Sequence, residues 1–199
     1  MKPYLIALSG LAIAVIAAQC TSKTEPAPET TAATTPKVDP AAQIKRGEYL
    51  VGIAGCNDCH TPKVMTDKGP ALNTQRLLSG HIAEETLPAI TDKKMIAPGQ
   101  WALFNSSLTA AVGPWGTSFA ANLTPDDTGL GNWTFEQFEK ALREGKSKGL
   151  DGTRPLLPPM PWQNTAQMTD EDMRAIFAYL KSIPAVKNAV PNAIPPASI

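Results

Sequence analysis

The hexapeptide Gly55-Cys56-Asn57-Asp58-Cys59-His60 constrains this chain more than any other stretch of it. A sequence of 199 residues with only three cysteines and two histidines sets two of those cysteines and one histidine side by side. Three chemistries use such a cluster. The first is a disulfide or dithiol redox pair, but no thioredoxin-like βαβ pattern surrounds these cysteines. The second is zinc, which needs four ligands where the chain adds only His81 and the distant Cys20. The third is covalent haem attachment, whose signature is C-x-x-C-H. Cysteines at i and i+3 lie on nearly one face of a helical turn, so both sulfurs can reach the two vinyl groups of one haem edge as thioethers. The next residue, His60, then directs its imidazole at the iron from the proximal side. This reading predicts one covalent haem c, attached at Cys56 and Cys59, with His60 as an axial ligand.

The sixth iron position calls for a second ligand. Met160 lies in "RPLLPPMPW", where Pro158, Pro159 and Pro161 fix backbone angles and remove competing donors. That frame holds a thioether in place with little entropy left to lose, so Met160 is the predicted distal ligand. His81, in "LLSGHIAEE", is the second choice, and a surface position is the simpler expectation for it.

The amino-terminal stretch belongs outside the fold. Met1-Lys2 precedes the apolar run "YLIALSGLAIAVIAA", a secretory-signal pattern shorter than the roughly 20 residues of a spanning helix. Cys20 follows directly, with Thr21-Ser22-Lys23 after it. The pattern resembles a bacterial lipoprotein signal, so residues 1–19 are expected as signal peptide and Cys20 as the lipidated residue. Cleavage near Ala17 or Ala18, or an uncleaved anchor, are the alternatives. Each places the domain outside the cytoplasm, in the periplasm, and the lack of an aspartate after Cys20 points to the outer membrane. Residues 20–39, rich in Thr, Pro and Ala, form an expected flexible tether. The 18 basic and 18 acidic residues balance. No basic cluster with interleaved aromatics suggests nucleic acid as a partner.

A helical domain is expected over 40–186. Asp39-Pro40 starts a first helix that runs toward Gly55, with the internal glycines 47 and 52 weakening it by about 1 kcal/mol each. Thr134 and Gln137 form a capping box ahead of Phe135, Phe138 and Leu142, and Gly145 is a stop. Thr169 caps a last helix whose apolar face is Met173, Ile176, Phe177 and Leu180, ended by Pro184. Residues 63–114 show no sustained helical period, although "QWALFNSSLTAAVG" reads as a short hairpin. A connection that long is expected to serve function, covering the haem edge or lining a docking face. Residues 187–199 read as a proline-rich tail over the surface.

Together "RGEYLVGIAGCNDCHT", "ANLTPDDTGLGNWTFEQFEKALREGK", "LPPMPW" and "MTDEDMRAIFAYLKSIP" resemble the single-haem modules of bacterial class I c-type cytochromes. They are most similar to modules in the cytochrome subunits of periplasmic alcohol and gluconate dehydrogenases. The resemblance covers about residues 43–62 and 115–186. It implies an all-α cytochrome c fold with packed first and last helices and a long irregular insertion at 63–114. It also carries over His60 as proximal and Met160 as distal ligand. Gly47 and Val51 match first-helix positions that pack against the last helix, where Ile176 and Tyr179 match. Asn122, Trp133, Arg154 and Trp115 are candidates, by motif position, for contacts to the haem propionates or packing around the ring. The chain departs from those subunits in carrying one CxxCH motif and a longer 63–114 segment.

The expected function is electron carriage, not catalysis. A membrane-tethered, periplasm-facing single-haem cytochrome would pass single electrons between transient respiratory donors and acceptors. The alternatives are a haem c subunit of a periplasmic dehydrogenase or oxidase complex, and a haem enzyme or sensor with an open sixth site.

Overall fold

A computed structural model describes residues 39–199. The signal peptide, Cys20 and nearly all of the tether lie outside the described residues. In chain order the helices are α1 (Pro40–Ile53), α2 (Cys56–His60), α3 (Phe135–Glu144), α4 (Trp162–Thr165) and α5 (Asp170–Ser182). Five short strands lie between α2 and α3: β1 (Lys63–Thr66), β2 (Gly69–Leu72), β3 (Leu103–Phe104), β4 (Ala110–Gly113) and β5 (Gly116–Phe119). Among the described residues no helix is long and apolar enough to cross a membrane.

The three long helices start where their capping residues dictate. Asp39 accepts from the Ala41 amide at 3.1 Å, with Pro40 in the first turn. Thr134 and Gln137 bond reciprocally as a capping box, and Gly145 in the left-handed region ends α3. Thr169 accepts from the Asp172 amide at 3.1 Å, and three acidic residues follow in the first turn of α5. Each acceptor satisfies an amide that the helix itself leaves unpaired.

Helix α1 packs against α5 through Gly47. A Cβ on Gly47 would lie 1.9 Å from the Ala175 carbonyl oxygen and 2.8 Å from Tyr179 Cβ. Gly47 thus lets the two backbones touch, and Val51 and Ile176 are buried in the same cluster. Arg46 and Asp172 pair across the exposed rim at 3.0 Å. Leu50, Leu78, Leu130, Phe138, Met173 and Leu180 complete the core. Phe177 stands beside Phe135 and Phe138, with ring centroids 5.9 and 5.2 Å away.

The all-α expectation is corrected by two small antiparallel sheets, which make the described domain mixed α/β around the helical frame. The first is β1–β2, closed by a turn in which Thr66 Oγ1 donates to the Gly69 carbonyl at 2.7 Å. The second has the order β3-β4-β5. Its β3–β4 hairpin falls within the stretch read as one, pairing Leu103 with Val112. Asn105 organises the connection, accepting from the Ala110 amide at 2.9 Å and donating to Glu85 and Thr109. Strand β4 is buried along its whole length, so the hairpin's place in a three-stranded sheet with β5 left no mark in the sequence. A strand enclosed on both faces lacks the polar–apolar alternation of a half-buried one.

The carboxy-terminal tail is held more closely than its prolines suggest. Asn188 is buried and donates to the carbonyls of Ser79 at 2.6 Å and His81 at 2.8 Å. It also accepts from the Ala83 amide at 3.1 Å. Further on, Thr117 and Ile194 exchange backbone bonds of 2.8 and 2.9 Å along the edge of β5.

Candidate functional site

Gly55, in the left-handed region, breaks the chain between α1 and α2 and lets the short helix start afresh. Helix α2 carries Cys56 and Cys59 one turn apart, with His60 as its last residue. Both thiols are half-buried and unbonded. Burial pushes the Cys56 thiol up to about 11 and raises Cys59 as well. Dithiol redox chemistry begins with a thiolate, which this setting disfavours. A thioether, which has no proton to lose, suits it.

His60 is oriented through its far nitrogen. Nδ1 lies 2.7 Å from the Ala121 carbonyl oxygen. A carbonyl can only accept, so Nδ1 carries the proton and the Nε2 lone pair is left free for a metal. Burial lowers the imidazole below its ordinary value, although the Ala121 contact partly opposes this, and the neutral form persists at pH 7. A backbone partner that fixes tautomer and ring orientation is the usual support of a metal-bound histidine.

The Ala121 carbonyl is itself held in place. Segment 78–81 runs between α2 and residues 120–123: the Gly80 amide donates to the His60 carbonyl at 2.8 Å, the His81 amide to Ala120 at 2.9 Å, and the Leu123 amide to Leu78 at 2.8 Å. Gly80 has φ +79°, and a Cβ there would sit 2.7 Å or less from atoms of both Ala120 and Ala121. Thr61 Oγ1 donates to Asn57 Oδ1 at 2.7 Å and accepts from the Leu78 amide at 2.8 Å. Lys63 Nζ donates to the carbonyls of Asn57 at 3.3 Å and Thr61 at 2.9 Å, and to that of Asp58.

Met160 is half-buried in a turn before α4. Its amide donates to the Leu157 carbonyl at 3.2 Å, and its carbonyl accepts from the Trp162 amide at 3.0 Å. Two residues earlier, the Pro158 carbonyl accepts from Ser118 Oγ at 2.6 Å. The Trp115 indole N–H donates to the same Ser118 oxygen at 3.2 Å. Two residues proposed as propionate contacts are therefore engaged within the protein. Trp115 serves Ser118. Asn122 donates to Thr128 Oγ1 and the Val186 carbonyl, and its Oδ1 accepts from the amide and hydroxyl of Thr124. Trp133 is half-buried against the core, and Arg154 is exposed with one guanidinium contact to the Pro155 carbonyl.

His81, expected at the surface, is fully buried. Its Nδ1 lies 3.0 Å from Thr109 Oγ1, and its ring lies 4.8 Å from that of Phe119. The sequence reading missed Ala121, Gly80, Lys63, Ser118 and Asn188. Only Gly80 left a trace, as an isolated glycine beside a histidine.

Two unbonded thiols on one helical turn, beside an imidazole with a committed Nδ1 and a free Nε2, fit a haem held by two thioethers and an axial histidine. A family model described as cytochrome c matches residues 44–184. The chain is 32% identical over 139 residues to the gluconate 2-dehydrogenase cytochrome c subunit of Pantoea cypripedii, across 69% of this chain and 22% of that protein. It is 32% identical, again over 139 residues, to the cytochrome c subunit of the quinone-dependent alcohol dehydrogenase of Gluconobacter oxydans, across 69% of this chain and 21% of that one. It is 33% identical over 138 residues to the fructose dehydrogenase cytochrome subunit of Gluconobacter japonicus, across 69% of this chain and 20% of that protein. In each case the match takes in less than a quarter of the relative's length. The chain belongs to the cytochrome c family, and its cofactor is covalently bound haem c.

Proposed function

We propose that this chain is a membrane-tethered, periplasm-facing electron carrier that moves single electrons between respiratory redox proteins. The observation that carries the reading is His60, with Nδ1 fixed on the Ala121 carbonyl and Nε2 free, next to Cys56 and Cys59 on the same turn. In this reading Cys56, Cys59, His60 and Met160 would hold the haem. When bound, the haem supplies a reversible one-electron couple, whose potential methionine ligation raises.

The chain's own residues do the rest. Ala121 fixes the His60 tautomer, and Gly80 makes room for that carbonyl. Ser118 holds the Pro158 carbonyl and thereby the turn that carries Met160. Trp115, Asn122, Trp133 and Arg154 remain candidates for contacts to the haem carboxylates or packing around the ring. Lipid on Cys20 and the tether to residue 39 would let the domain swing between donor and acceptor, at the outer membrane. Contacts with such partners are expected to be small and transient. With charges balanced, local patches would steer docking, without a strong overall field.

The relatives support a second reading, a haem c subunit of a periplasmic dehydrogenase or oxidase complex, since all three are cytochrome subunits of dehydrogenases. Copurification with a flavin or quinone enzyme would favour it.

The deciding experiment is the optical spectrum of the oxidised holoprotein beside Met160→Ala. A weak far-red sulfur-to-iron band is expected in the wild type and absent from the variant. A high-spin wild-type spectrum, with ready carbon monoxide binding after reduction, would instead point to an enzyme or sensor with an open site. Mass spectrometry of the mature chain reads the haem count and any acyl groups on Cys20.

A further inference from the structure

The carbonyls at the end of α2 have an unusual partner. Lys63, the first residue of β1, turns its ammonium back onto Asn57, Asp58 and Thr61. Apart from Asn57, whose carbonyl also accepts from the Thr61 amide at 3.3 Å, the last carbonyls of this five-residue helix have no helical partner. Three acceptors match the three N–H bonds of an ammonium, whereas a neutral amine has only two. Burial lowers Lys63 below its ordinary value, yet the three carbonyls suit its charged form and fix that charge against the backbone at the end of α2. An ordinary surface lysine carries its charge on a flexible stem in water, where it is screened.

We propose that Lys63 is a built-in cation that raises the reduction potential of this site. The proposal rests on haem attachment at Cys56 and Cys59 with His60 as ligand. Reduction adds one electron, taken from the donor protein, and lowers the charge of the ring and its iron by one. A fixed positive charge nearby favours that reduced state, and partial burial strengthens the effect relative to bulk water. Asp58 opposes it: this exposed residue on the same short helix carries the opposite charge.

The test is the midpoint potential of the purified full-length holoprotein, by spectroelectrochemical titration with redox mediator dyes, in the wild type, K63M, K63R and D58N. K63M keeps the aliphatic stem and removes the charge. Its potential is expected to fall, shifting the equilibrium with a fixed mediator on the order of threefold to tenfold. K63R, which keeps the charge, stays near the wild type. D58N shifts in the opposite direction, upward. A purely structural clamp would lower the melting temperature of K63M and leave its potential where it was, and that result overturns the proposal. If K63M fails to retain haem, D58N decides: an unmoved potential overturns the proposal, and an upward shift supports it. A chromophore that separates from the polypeptide in acidic acetone would refute the underlying haem attachment, a failure distinguishable from the electrostatic one.

Discussion

Replacing Gly47 with alanine isolates the contact on which the helical frame depends. The added methyl would begin 1.9 Å from the Ala175 carbonyl oxygen, 2.5 Å from its carbon and 2.8 Å from Tyr179 Cβ. Restoring an ordinary contact of about 3.5 Å would require the helices to part locally by about 1.5 Å. The nearest obstacle is backbone inside α5, which cannot rotate away as a side chain would. Overpacking of this kind sits at the upper end of its usual range, about 3 kcal/mol. Alanine returns about 1 kcal/mol of helix propensity. The net expectation is a loss of about 2 kcal/mol, or about 4–8 °C in melting temperature for a domain this size. Gly52, in the same helix, supplies the control, because a Cβ there meets nothing within 4 Å. Gly52→Ala is expected to stabilise the protein by up to about 1 kcal/mol. Guanidinium unfolding of the holoproteins, followed by far-ultraviolet circular dichroism, compares the two directly. A Gly47→Ala midpoint at or above that of Gly52→Ala would refute the close approach of α1 and α5.

Other outcomes follow from the same geometry. Gly80→Ala adds a Cβ at φ +79° and 2.4 Å from the Ala120 carbonyl oxygen, so it should cost about 2–3 kcal/mol. It should also raise the reduction potential, because a displaced Ala121 carbonyl leaves His60 a poorer donor to oxidised iron; potentiometry with a parallel melt checks both effects. Asn188→Ala strands the buried carbonyls of Ser79 and His81 and the Ala83 amide. A loss of about 2–4 kcal/mol is expected, with faster trimming of the tail by carboxypeptidase. Burial lowers His81 below its usual value of 6.5, against the pull of Glu85 at 3.9 Å. The unfolded chain then binds more protons than the folded one as pH drops below 6.5. Stability from this group is complete above that pH and is lost as pH falls toward the lowered folded value. Melting temperatures between pH 7 and pH 5 should decline less steeply in His81→Gln.

What the sequence disclosed was local, and what it concealed was long-range. Asp39, Thr134 and Thr169 could be assigned because each cap bonds an amide only two or three residues away. The haem motif is equally local, since one turn of helix sets its geometry. The partner of His60 lies 61 residues away and is a backbone carbonyl, which any residue at position 121 would provide. No pattern of side chains could mark it. His81 looked solvated beside Glu84 and Glu85, yet Thr109 and Phe119, both from the segment that forms the second sheet, enclose it. Asn188 looked like part of a loose tail because its acceptors, at positions 79 and 81, are more than a hundred residues earlier.

The segment between α2 and Ala121 accounts for most of these concealed contacts, and its bonds argue against a decorative role. A loop that merely decorated the fold would join the domain at its two ends and otherwise face water. This one returns repeatedly to the site. Lys63 closes the end of α2, Gly80 bonds the His60 carbonyl, His81 bonds Ala120, and Ser118 reaches the Pro158 carbonyl two residues before Met160. Its strands therefore brace both the histidine and the methionine segments, as outer-shell groups brace the ligands of a metal. Removing the whole segment would disturb the haem pocket before it reported on docking. Substituting Trp101 and Phe104, both exposed on the segment and outside every side-chain hydrogen bond described above, separates the two roles. Electron transfer slowed in those variants at unchanged potential would assign docking to the segment, and unchanged transfer would confine its role to bracing the site.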